Sequence, residues 1–153
     1  MRTSSFVLWV AVLLGVAMEA NGVFMLVSPD TWYLAVPGVT ETGPFNQHFL
    51  RDIGLIFVLI GGAFLLGAAR PQFRVVAWAA PTLWLAGHAL FHFWEVAVGI
   101  CSPSVIPRDF PAVTLPAIIG AALTLWAWRD ACAARTAAAP GSAGSGMARS
   151  PAS

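Results

Sequence analysis

The sequence predicts an all-α integral membrane protein, an antiparallel four-helix bundle with a short interfacial helix on its outer side. Three observations carry that expectation. Four apolar stretches, at about 6–27, 49–69, 75–100 and 110–128, reach the roughly 20 residues a helix needs to cross a bilayer. The 153-residue chain is 58% apolar and only 10% charged, with a mean hydropathy of +0.76. A single water-soluble domain of this size could not hide so much apolar surface. The arginines, finally, divide unevenly between alternate loops, as in a multi-pass protein.

The first stretch runs from Phe6 to Val27. Arg2 ahead of the run Phe6 to Met18 also resembles a signal peptide. No A-x-A cleavage site follows, and apolar residues resume at Val23, so a retained helix is expected. The first outer loop then runs from Ser28 to Gln47. Ser28-Pro29-Asp30 reads as a helix start, because proline fits the first helical position, and Pro37-Gly38 reads as its stop. Trp32 and Tyr33 between them suit the headgroup level. Asn46 can cap the second helix with its side-chain oxygen. The tight loop Arg70-Pro71-Gln72-Phe73-Arg74 makes helices two and three antiparallel neighbours. Asp109 is placed to cap the fourth helix, with Pro111 in its first turn. Pro81 and Pro116 lie inside helices and can kink them.

All eight basic residues are arginine, and the net charge is +1. Arg2, Arg70, Arg74, Arg129, Arg135 and Arg149 fall on one side of the four-helix layout, and Arg51 and Arg108 on the other. The positive-inside rule therefore expects both termini in the cytoplasm and the protein in the inner (plasma) membrane. So few basic residues exclude a nucleic-acid footprint. Residues 1–130 form the expected membrane domain. Residues 131–153, almost all Ala, Gly, Ser, Pro and Arg, lack the large apolar side chains that offset chain entropy and are expected to be disordered. Cys101 and Cys132 lie on opposite sides of this layout, so no disulfide between them is expected.

Ionisable side chains inside these stretches are costly in hydrocarbon, and each is a candidate functional residue. His88 and His92 stand i, i+4 on the third helix, with Glu95 one turn further on. All three share one face, a spacing used by helix-borne metal sites. His48 and Asp52 are i, i+4 at the start of the second helix. Glu19 lies between Gly15 and Gly22 on the first, where small residues let another helix come close. At 1.5 Å per residue, Glu19 and His92 lie about 12 Å, Glu95 about 8 Å and His88 about 18 Å below the outer ends of their helices. All these groups fall in the outer half, which predicts one shared His/carboxylate pocket opening outward. Plain interhelical hydrogen bonding and packing are the bland reading of the same residues.

Three functions fit such a pocket. One is a transition-metal site, with iron, zinc, copper or manganese held by His and carboxylate ligands drawn from His48, Asp52, His88, His92, Glu95 and Glu19. A second is metal-free acid–base chemistry on a lipophilic molecule entering from the bilayer. The third is a non-enzymatic component, either a subunit docked on itself or on a membrane partner, or a proton-relaying transporter. The segments Thr42-Gly43-Pro44-Phe45-Asn46-Gln47-His48-Phe49-Leu50-Arg51-Asp52-Ile53-Gly54 and His88-Ala89-Leu90-Phe91-His92-Phe93-Trp94-Glu95 resemble those of small bacterial four-helix integral membrane proteins. The layout, though no motif, is similar to that of DoxX-like membrane proteins. The resemblance implies a four-helix membrane bundle and brings no catalytic residue with it.

Overall fold

The computed structural model describes residues 5–138, and among them every regular element is helical. In chain order these are α1 (Ser5–Val27), α2 (Pro29–Ala35), α3 (Gln47–Ala69), α4 (Arg74–Ala97), α5 (Val105–Asp109) and α6 (Leu115–Ala138). Short 3-10 turns occupy Val39–Glu41 and Pro71–Phe73, and a π-helical turn, Phe110–Thr114, joins α5 to α6. Three helical segments are long and apolar enough to cross a membrane: Ser5–Val27, Gln47–Ala69 and the continuous run Val105–Ala138. Helix α4 is 24 residues long but is not among them, because it carries Arg74, His88, His92 and Glu95.

Local chemistry explains where the helices start and stop. Pro29 occupies the first turn of α2. Asn46 caps α3, its side-chain oxygen accepting from the amides of His48 and Phe49, each at 3.1 Å. Helix α3 ends at Arg70, which Pro71 forces into an extended conformation. Helix α4 stops at Ala97 rather than Ile100. Gly99 takes φ 79°, its amide donates to the Val96 carbonyl, and the Ile100 amide donates to that of Glu95. This paired turn-back around a left-handed glycine is the Schellman stop. At the other end of the chain, α6 continues through Ala138. Alanine is the best helix former, and no proline intervenes before Pro140. The rest of the expected disordered tail, residues 139–153, lies outside the described residues, as does Arg2.

Packing runs α1 on α3, α3 on α4 and α4 on α6, with a slight contact closing α6 onto α1. The α1–α3 seam is backbone against backbone. A Cβ on Gly61 would stand 2.6 Å from the Gly15 carbonyl, and one on Gly22 would stand 2.6 Å from that of Gly54. These glycines are two turns apart on each helix, so both crossings fall on one line. Phe64 and Trp78 are fully buried between α3 and α4. The Trp78 indole donates to the Phe64 carbonyl at 3.0 Å. Thr82 donates to the Trp78 carbonyl at 2.6 Å and meets Thr124 of α6 at 3.2 Å. Large apolar side chains such as Trp9, Leu13, Leu59, Val76, Leu83 and Leu90 face outward. That surface suits a lipid bilayer rather than water.

A candidate histidine–aspartate site

The C-terminal ends of α4 and α5 bring together the most connected set of titratable side chains. Helix α4 sets His88 and His92 one turn apart, with ring centroids 4.7 Å apart and edge to face. His92 Nδ1 lies 3.6 Å from an Asp109 carboxylate oxygen, an ion-pair rather than a hydrogen-bond separation. These two side chains are 27% and 17% exposed. Below them, His88 stacks on Trp84 at 5.1 Å, and Trp84 meets Phe57 of α3 edge-on. The result is a column, Asp109–His92–His88–Trp84, leading from the end of the helices into the bundle. Beside its upper part, His92, Asp109, Val105 and Thr114 help line a cavity of about 10 Å³. That is room for about one water molecule.

Asp109 reaches His92 because of the prolines around it. Pro111 and Pro116 each lack the amide that an α-turn needs. Between them the chain widens into the π-helical turn, a distortion that often marks functional sites. The helix has already begun at Val105, so Asp109 has no free helix start to cap and makes no capping bond. Its carboxylate instead accepts from Arg108, with Nε at 2.7 Å and Nη2 at 3.3 Å. Arg108 Nη1 donates to Glu41 at 2.8 Å, which ties the loop between α2 and α3 to α5. The guanidinium lies against Gly38, whose φ of 82° and lack of a Cβ leave room for it.

The other candidates stand elsewhere. His48 Nε2 and Asp52 pair at 3.4 Å across the exposed first turns of α3. Arg51 beside them donates to the Leu26 carbonyl at 3.2 Å and to Gln47 at 3.0 Å. Glu19 lies over Gly61 and Gly62 in the α1–α3 seam, and α1 does not pack on α4. Glu95 is in the last turn of α4. Its backbone carbonyl takes part in the helix stop, and its side chain makes no hydrogen bond or ion pair among the described residues. Among the described residues no group of three or more His, Cys, Asp or Glu is placed to hold a metal ion. So His88 and His92 come together, as do His48 and Asp52, while Glu19, Glu95 and the His48–Asp52 pair do not join the His92 column. The partners that the sequence did not place in the site are Asp109, expected as a helix cap, and Arg108. The signal that could have found them is Pro107, which fits the first turn of a helix starting near Val105, ahead of Asp109. No family model, curated protein or solved structure matches the chain.

Proposed function

We propose that the chain is a multi-pass inner-membrane protein whose outer half passes protons between the extracytoplasmic surface and a lipophilic molecule near mid-bilayer. In this reading α1, α3, α4 and α6 all span, as an antiparallel four-helix bundle with α2 at the outer interface and both termini cytoplasmic. The glycine seam supports the antiparallel arrangement, since positions 15 and 22 of α1 meet 61 and 54 of α3. Arginine placement supports the orientation. Helix α4 alone of the four falls short of a span by composition, and its polar face is covered by Asp109 of α5 and by Trp84.

The observation that carries the reading is the column itself. Asp109, held by Arg108, orients the His92 imidazole, and His92 adjoins His88. Each imidazole can take a proton at one nitrogen and release one at the other. A water-sized cavity at His92 supplies contact with the outer face but is too small for a substrate. Below His88, α4 carries no imidazole or carboxylate, only the Trp84 and Trp78 indoles and the Thr82 hydroxyl before Arg74, so the chain of acids and bases stops part-way. Such a half-path serves proton exchange with something dissolved in the membrane.

The test uses untagged protein in vesicles containing a lipophilic pH indicator. Stopped-flow acidification of the outside should protonate the indicator faster with wild type than with His92→Ala or His88→Ala, by about 100-fold. Equal rates would end the proposal. A stoichiometric transition metal that is lost on His92→Ala would transfer the same side chains to a metal site.

A further inference from the structure

Arg74 is a cation buried at the opposite end of the bundle with no anion beside it among the described residues. It is only 5% exposed. Its Nε donates at 3.0 Å to the carbonyl of Gly67, in the last turn of α3, where carbonyls lack helical partners. Its guanidinium carbon lies 5.6 Å from the Trp78 ring and 5.7 Å from the Trp126 ring, in the wedge between two indoles. These contacts hold the flat group in place and satisfy one of its five N–H donors. The four on Nη1 and Nη2 have no acceptor among the described residues. No buried side-chain nitrogen among those residues is both sealed and unpartnered, so both Nη atoms sit at the small open edge of the site. Asp130 lies one turn beyond Trp126 on α6, yet Arg74 makes no ion pair with it or with any other described carboxylate.

A buried charge with no counter-charge is a costly arrangement, and a guanidinium offering paired N–H groups through one edge matches the oxygens of a phosphate. We propose that Arg74 anchors a binding site for a phosphate-bearing anion at the junction of α3, α4 and α6. The anion is either the headgroup of an anionic phospholipid or free phosphate. Trp78 and Trp126 keep the guanidinium plane fixed, and the Gly67 carbonyl fixes its rotation. The proposal is independent of the proton column, which lies at the other end of α4.

Native mass spectrometry of the full-length protein in detergent tests it, with phosphatidylglycerol, diacylglycerol or inorganic phosphate added separately. Wild type should retain one phosphatidylglycerol and no diacylglycerol. Arg74→Gln should abolish retention. Arg74→Lys keeps the charge, guards against a folding failure, and should weaken retention about tenfold because the paired geometry is lost. Arg70→Gln, at an exposed neighbour, should leave it unchanged. Phosphate binding without lipid retention, sensitive to the same two Arg74 variants, would identify the soluble anion as the occupant. Equal retention of diacylglycerol, or retention unchanged in both Arg74 variants, would overturn the site. So would an anion that binds only after Asp130→Asn, since Asp130 would then be the hidden counter-ion.

Discussion

Between α1 and α3 backbone touches backbone, whereas at the C-terminal ends of α4 and α5 a histidine, an aspartate and a water-sized cavity stand between the helices. The first region is built from residues with almost no side chain. In lipid, where burial of apolar surface between helices gives no advantage over acyl chains, close van der Waals approach is what holds helices together. The second region gives up that closeness. It spends two prolines and a widened turn to turn a carboxylate toward an imidazole. Close packing leaves no room for a pair of titratable side chains, and such a pair leaves gaps that packing would fill. The molecule separates the two by helix pair.

The largest expected effect is at the seam. Gly61→Val would push a branched side chain into the Gly15 carbonyl and the Glu19 backbone, and neither can move without parting the helices. We expect a loss of at least about 3 kcal/mol, the upper range for overpacking. SDS titration in micelles, followed by circular dichroism, would measure it. Gly87→Ala is the control, since nothing stands within 4 Å of the added Cβ. A similar loss in both would mean that the seam is not specially tight.

The two regions were also unequally legible in the sequence. Capping and spacing are local, so Asn46 and Pro29 announce the starts of α3 and α2 before any fold is known. Glycines flanking Glu19 announce a close approach, though not by which helix. Gly99 was hidden because it sits in the apolar run Val96 to Ile100, where hydropathy continues while the backbone turns back. That turn moves Glu95 from a supposed depth of several residues to the last turn of α4. Depth along a helix can be counted from sequence, but the direction a residue faces around the bundle cannot. Glu19 and His92 were assigned the same depth, and they face different neighbours. Asp109 looked like a cap because Arg108-Asp109-Phe110-Pro111 has the composition of a helix start, and only the helix beginning at Val105 removes that role.

Helix α6 offers the next way to sharpen the contrast. Pro116→Ala restores the amide that the π-turn lacks and should let the chain close toward a regular α-helix. Stability should rise by about 1 kcal/mol, from the recovered hydrogen bond less some packing lost at a buried position. Proton transfer through His92 should nevertheless fall, because Asp109 rotates away from the imidazole. Nitrogen chemical shifts of 15N-labelled histidines would report the change in His92 directly. Wild-type shifts in a correctly folded Pro116→Ala protein would separate the π-turn from the placement of Asp109.

The smallest effect expected is at Arg108, and it tells whether the loop between α2 and α3 is part of the site or only near it. Arg108 bridges Glu41 and Asp109 from a partly exposed position, with its own side chain 31% exposed. Exposed ion pairs contribute about 0–1 kcal/mol, so Arg108→Gln should cost no more than that in global stability. The local consequence should be larger. Without the guanidinium, Glu41 loses its tie to α5, and the loop around the 3-10 turn Val39–Glu41 is left with its local hydrogen bonds and the Tyr33 hydroxyl bond to the Gly43 carbonyl. Amide exchange should quicken from residue 38 to 45 and stay unchanged along the α1–α3 seam. Asp109 also loses the group that holds it, so the His92 imidazole should sample more than one orientation. If exchange in the loop and the His92 signal were both unaltered, Arg108 would be an ornament of the surface and Asp109 would be held by the backbone alone.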